Sequence, residues 1–169
     1  MARALLLVLA SAAMYVSTVA WALSRLPEDG VALHVNTGGT VNAYATRADA
    51  MGLFVTVGVV IMVLAIVSVA SARWIPTTMI NMPHKEFWTE PRRLPQFRRM
   101  LCWDLAVLFS LPLLVFSYLP VDITLTTLDP VGHGHFWFVL AIALLVLGVP
   151  AYVGWMVLRR YRPGDRGEG

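Results

Sequence analysis

The sequence predicts an all-α integral membrane protein: a four-helix transmembrane bundle with both termini cytoplasmic, an ordered outer first loop and an interfacial cytoplasmic second loop. Three observations predict it. Hydrophobic residues make up 58% of the chain and charged residues 14%, with a mean hydropathy of +0.69; soluble domains average about 45–50% and 25%. Four stretches are apolar over about 20 residues, the length a helix needs to cross a hydrocarbon core of about 30 Å. The Lys and Arg residues alternate between loops, as the positive-inside rule requires. The same composition excludes a disordered chain, which needs low hydrophobicity and high charge. A single cysteine, Cys102, excludes an internal disulfide framework and a multi-cysteine zinc site.

The spans are read at residues 4–24, 50–72, 100–120 and 136–158. The first lies between Arg3 and Arg25 and carries no charge. Its end, Ala20-Trp21-Ala22, has the small-x-small form of a signal-peptide cleavage site, but the apolar run exceeds the usual 7–15 residues. It is therefore read as a retained span. Ala10, Ala13, Ser17 and Ala20 recur at three and four, so they share a face suited to helix packing or self-association. The second span is also uncharged and repeats the device with Ala65, Ser68 and Ala72. The third contains Pro112 and one acid, Asp104. Pro95 suits the start of this helix, which places Asp104 two to three turns in, where Arg98 and Arg99 can balance it near the interface. The fourth holds Pro150, Gly148, Ala151 and Gly154. Each proline removes a backbone donor and bends its helix.

Placing both termini and the second loop on one side puts eleven bases there and two on the other. The third loop, at 121–135, has Asp122 and Asp129 and no Lys or Arg, which fits the outside. The chain is thus expected in the cell inner membrane as a multi-pass protein, with residues 159–169 as a basic, flexible cytoplasmic tail. The lipid bilayer is its first partner, and a protein partner or self-association its second. Nucleic acid is not expected, because the bases follow the membrane pattern.

The loops hold the remaining information. In the first, Leu26, Pro27, His34, Gly38, Gly39, Asn42, Tyr44 and Arg47 stand in a turn-rich segment. In the second, Asn81, Pro83, Lys85, Trp88, Arg92 and Arg93 fall within a stretch from Arg73 to Arg99 that holds six bases with Phe87, Trp88 and Phe97 among them. Asn81 and Pro83 can turn the chain. The following residues can form a short amphipathic segment, with Phe87 and Trp88 toward the acyl boundary and the bases toward phosphates. These two motifs resemble the domain-of-unknown-function module found N-terminally in SdpI-type bacterial immunity proteins and in many small membrane proteins. The resemblance covers roughly residues 20–95. It departs at Val35, where an aromatic is usual, and at Asn42, where an acid is usual. The further spans of the SdpI-type architecture are missing. The resemblance implies an accessory, immunity-like or signalling role without catalysis.

No catalytic constellation is legible, and no cofactor is expected. Cys102 beside Trp103 lacks an activating neighbour and reads as a structural thiol. No metal site is predicted. His34, His133 and His135 are weak candidates, since they share the outer side but lack ligand spacing such as HExxH. Two functions follow. One is a non-enzymatic membrane protein acting through protein or lipid contacts. The other is a small transporter or enzyme subunit that uses Asp104 and works with a partner or as an oligomer.

Overall fold

The computed structural model describes residues 2–35, 40–130 and 136–163. Helix α1 spans Ala2–Leu23. A hairpin follows, with β1 at Val31–Val35 and β2 at Val41–Ala45. Helix α2 is Arg47–Ser71, the short α3 is Lys85–Thr89, α4 is Leu94–Phe116 and α5 is Tyr118–Leu128. Helix α6 is Phe136–Trp155, and it passes into a π turn at Met156–Arg160. Four helical stretches are long and apolar enough to cross a membrane: Ala2–Leu23, Arg47–Ser71, Leu94–Leu128 and Phe136–Arg160.

The third stretch differs most from the expectation. It begins six residues before the predicted span, and its second part, α5, continues through Asp122 into what reads as a loop. The 35 residues run about 50 Å at about 1.5 Å each, well beyond the hydrocarbon core. The polar residues Asp122, Thr124, Thr126 and Thr127 after Pro120 hide this, because they lower the hydropathy of the continuing helix. Pro120 cannot donate to the carbonyl of Phe116, so the helix breaks into two segments at Ser117 without ending. Ser117 N still donates to Leu113 O at 2.9 Å, which carries the chain across the break. Asp122, Thr124 and Thr126 are buried on α5. The two threonine hydroxyls donate to carbonyls four residues earlier, Thr124 to Pro120 O and Thr126 to Asp122 O.

Three buried clusters order the bundle. Ala4 and Val8 of α1 pack with Ala65, Val69 and Ala72 near the end of α2 and with Cys102 and Ala106 of α4. At the opposite end, Ala22, Leu26, Val31, Ala50, Phe54 and Ile123 close together. Helices α1 and α4 therefore run parallel, with α2 antiparallel to both. The third cluster joins Ile80, Trp88 and Phe97 to Met156 and Tyr161. It sits at the same end as the N-terminus of α4.

Small residues carry only part of the packing expected of them. Ala65 and Ala72 are buried in the bundle, but Ala10, Ala13, Ser17, Ala20, Gly148 and Ala151 are exposed. The inner face of α1 is instead Ala4, Val8, Ser11, Ala12, Tyr15 and Ala22. Close approach of α1 and α2 is set at Gly58. A Cβ there would lie 2.5 Å from Tyr15 Cε1, and Tyr15 is held in place by donating its hydroxyl to Phe54 O at 2.7 Å.

The first loop folds as an antiparallel hairpin, so the architecture is helical with one small sheet. Val31 pairs with Ala45 and Ala32 with Tyr44, and the register then shifts around His34. Val31 and Ala32 are buried, and Ala32 N donates to Thr127 Oγ1 of α5 at 3.0 Å. That bond fixes the hairpin to the end of the long helix. The entrance to α2 is a capping box. Thr46 Oγ1 accepts from Asp49 N, and Asp49 Oδ2 accepts from Thr46 N, each at 3.1 Å.

Candidate functional site: the buried Asp104 cluster

Asp104 is fully buried, at 0% exposure. An isolated carboxylate at that depth would be costly, so its partners decide its meaning. Tyr152 of α6 donates its hydroxyl to Oδ1 at 2.9 Å. Oδ2 accepts from Arg160 Nε at 2.9 Å and from the Tyr161 hydroxyl at 2.7 Å. An acceptor-only group thus receives three donors, one of them charged. Arg98 and Arg99, expected from sequence to balance the acid, do not do so. Arg99 is exposed, and Arg98 donates to Ile75 O at 3.1 Å. The reason is direction. The acid faces α6 across the bundle, while its neighbours along α4 face other sides.

The π turn makes this convergence possible. At about 100° per residue, Tyr152 and Tyr161 would face opposite sides of a regular helix. The wider turn, closed by Tyr161 N donating to Met156 O at 2.9 Å, brings Arg160 and Tyr161 back toward α4. Burial, and then the adjacent carboxylate, push the Tyr161 phenol above its ordinary pKa. It therefore remains an O–H donor to Asp104 at neutral pH.

The cluster extends into the second loop. Trp88 Nε1 donates to Tyr161 O at 2.7 Å. Trp88, Phe97 and Tyr161 form a packed aromatic group with ring centroids 5.7–6.2 Å apart. Trp88 was expected to lie toward the acyl boundary; it is buried instead. Helix α3, at five residues, is too short to form an amphipathic surface helix, and the aromatic cluster supplies a better place for the indole. Phe87 is half-buried and is covered by the Arg93 guanidinium at 3.8 Å from its ring centroid. Arg92 and Arg93 both pair with Glu90, at 3.2 and 3.0 Å. Lys85 Nζ donates to Thr78 O at 3.2 Å. Asn81 and Pro83 are exposed, and the turn after them is made by His84 in a left-handed conformation. The basic tail also begins later than expected, since the helical turn reaches Arg160 and Tyr161 is buried.

At the other end, the hairpin gathers the first-loop residues. His34 Nδ1 lies 2.5 Å from Asn42 Oδ1. With the carbonyl oxygen as acceptor, the bond takes the Nδ1–H tautomer of His34. Arg47 reaches Leu26 O and Glu28 Oε1, each at 3.4 Å, and clasps the segment between α1 and β1. Leu26 is buried, Pro27 is exposed and Tyr44 is 63% exposed. Gly38, Gly39, His133 and His135 lie outside the described residues. Among the described residues no group of three potential metal ligands occurs.

Sequence reasoning singled out Asp104 but missed Tyr152, Arg160 and Tyr161 as its partners. A signal existed: a lone intramembrane acid needs an opposite charge, and Arg160 ends another span on the same side. No family model, curated protein or solved structure matches the chain.

Proposed function

We propose that this chain is a multi-pass protein of the cell inner membrane with both termini cytoplasmic. Its role is non-enzymatic: accessory, immunity-like or signalling, exerted through contacts with protein or lipid, as the resemblance to the SdpI-type module implies. The observation that carries this reading is the Asp104 cluster. It ties the second loop, α4 and the C-terminal segment into one composite face at the basic end. A carboxylate that already accepts three donors suits fastening better than carrying protons or substrate. The hairpin, held by Thr127 and Arg47, gives the opposite end a second fixed surface.

The test is purification of the tagged full chain in mild detergent, as wild type and as Asp104→Asn. A membrane or cytosolic protein that accompanies the wild type and is lost from the variant at equal expression is the expected result. Equal recovery of every companion from both forms would count against a contact role for this face. Substrate or proton flux in vesicles containing only the purified chain would favour the transporter reading instead.

A further inference from the structure

We infer that the basic end of the bundle binds anionic phospholipid headgroups in clefts formed by an arginine and a tryptophan one helical turn apart. The inference rests on the membrane reading above and adds a headgroup selectivity to it. On α4 the pair is Arg99 and Trp103; beyond α6 it is Trp155 and Arg159. Arg99 and Trp103 are spaced by four on a regular helix and share a face; Trp155 and Arg159 are spaced by four across the π turn, where Arg160 lies over the Trp155 ring at 5.7 Å and Arg159 is left exposed beside it in sequence. Arg99 and Arg159 are exposed, and Trp103 and Trp155 are 37% and 46% exposed. The order of the two residues carries the argument. Helix α4 enters the bundle at this end and α6 leaves through it, so their chain directions oppose. The residue order reverses as well. In both places the arginine therefore lies nearer the end and the tryptophan one turn deeper. Two helices of opposite direction present the same depth profile: a guanidinium at headgroup level above an indole at the acyl boundary. At the end of α2, Arg73 and Trp74 are both exposed as well, Trp74 at 73%.

Charge supplies the selectivity. Among the described residues this end carries ten Lys or Arg against three acids, and the hairpin end two against five. Arg92, Arg93 and Arg160 pair with Glu90 or Asp104. Arg99 and Arg159 pair with no acid among the described residues. A guanidinium offers a planar fork that matches a phosphate with two parallel bonds. The ammonium of a zwitterionic headgroup would be repelled by this field, whereas phosphatidylglycerol brings none.

The test uses the full chain in mixed phosphatidylcholine–phosphatidylglycerol vesicles. The protein is extracted in mild detergent and its retained phospholipids are quantified by mass spectrometry. Wild type is expected to retain phosphatidylglycerol in excess of its share of the vesicle, with each arginine contributing up to about fivefold. Arg99→Gln with Arg159→Gln should bring retention close to the vesicle ratio. The Lys pair should be intermediate, because charge remains but the fork is lost. Arg92→Gln, at the same end but paired with Glu90, should retain the wild-type excess. Retention of the two lipids by wild type in the vesicle ratio would overturn the inference. So would an equal loss in Arg92→Gln, which would show diffuse charge and no clefts. Flotation with the vesicles is measured on every variant; a chain that fails to float would refute the membrane reading itself.

Discussion

Tyr15 and Gly58 show how single residues set the spacing of this bundle. Lipid offers no hydrophobic drive for helices to associate, so close packing must do it. The absence of a side chain at Gly58 leaves room for the Tyr15 ring, and the ring's hydroxyl bond to Phe54 O prevents it from swinging away. Gly58→Ala should therefore destabilise the protein by about 1–3 kcal/mol, the usual cost of overpacking. Thermal unfolding of the purified protein in detergent would measure it. In a Tyr15→Ala background the same change should cost much less, because the clashing ring is gone. Equal losses in both backgrounds would place the strain elsewhere.

Helix α6 poses the question at the scale of elements. None of its residues from Phe136 to Trp155 is buried within the chain. It touches the bundle through Phe138, stacked on Tyr118, and through Tyr152, with Arg160 and Tyr161 just beyond its end. The Asp104 cluster is thus its principal polar fastening. Asp104→Asn should loosen α6 selectively: amide exchange should rise over residues 150–161 while α1, α2 and α4 keep wild-type protection. The global cost should be about 1–3 kcal/mol, at the lower end for a broken ion pair because Arg160 is 27% exposed. Adding Arg160→Met to Asp104→Asn should recover part of the loss, since no unpaired charge would remain. Uniformly increased exchange in all four spans would mean that the cluster supports the whole fold and not this helix.

At the scale of the whole molecule, the two ends differ in charge and in construction. The basic end is a composite of loop, helix starts and the C-terminal segment. The hairpin end is a small sheet fixed to α5. The orientation proposed above, with the base-rich side inside, would put the basic end in the cytoplasm. In a Cys102→Ala background, a cysteine at Gly38 should react with an impermeant thiol reagent added to intact cells. One at Glu86 should react only after permeabilisation. The reverse pattern would invert the assignment.

The sequence alone determined the class of this protein, because the number, length and charge flanks of apolar runs are local properties. Four helices able to span follow directly from runs such as Ala50–Ala72. The capping box at Thr46 and Asp49 rests on a spacing of three in the sequence that the sequence reading did not single out. What the tertiary structure alone decided are the facts that depend on distance across the bundle. Composition could mark Ala10, Ala13, Ser17 and Ala20 as a packing stripe, but the face α1 buries is set by the fit of Tyr15 against Gly58. The third span was read to residue 120, yet the proline there breaks one bond of a helix that continues to Leu128. Asp104 was legible as an anomaly. Its partners were not, because they lie 48 to 57 residues away, and two of them, Arg160 and Tyr161, are turned toward it by a π turn, a departure from helical periodicity that no repeat of apolar residues encodes.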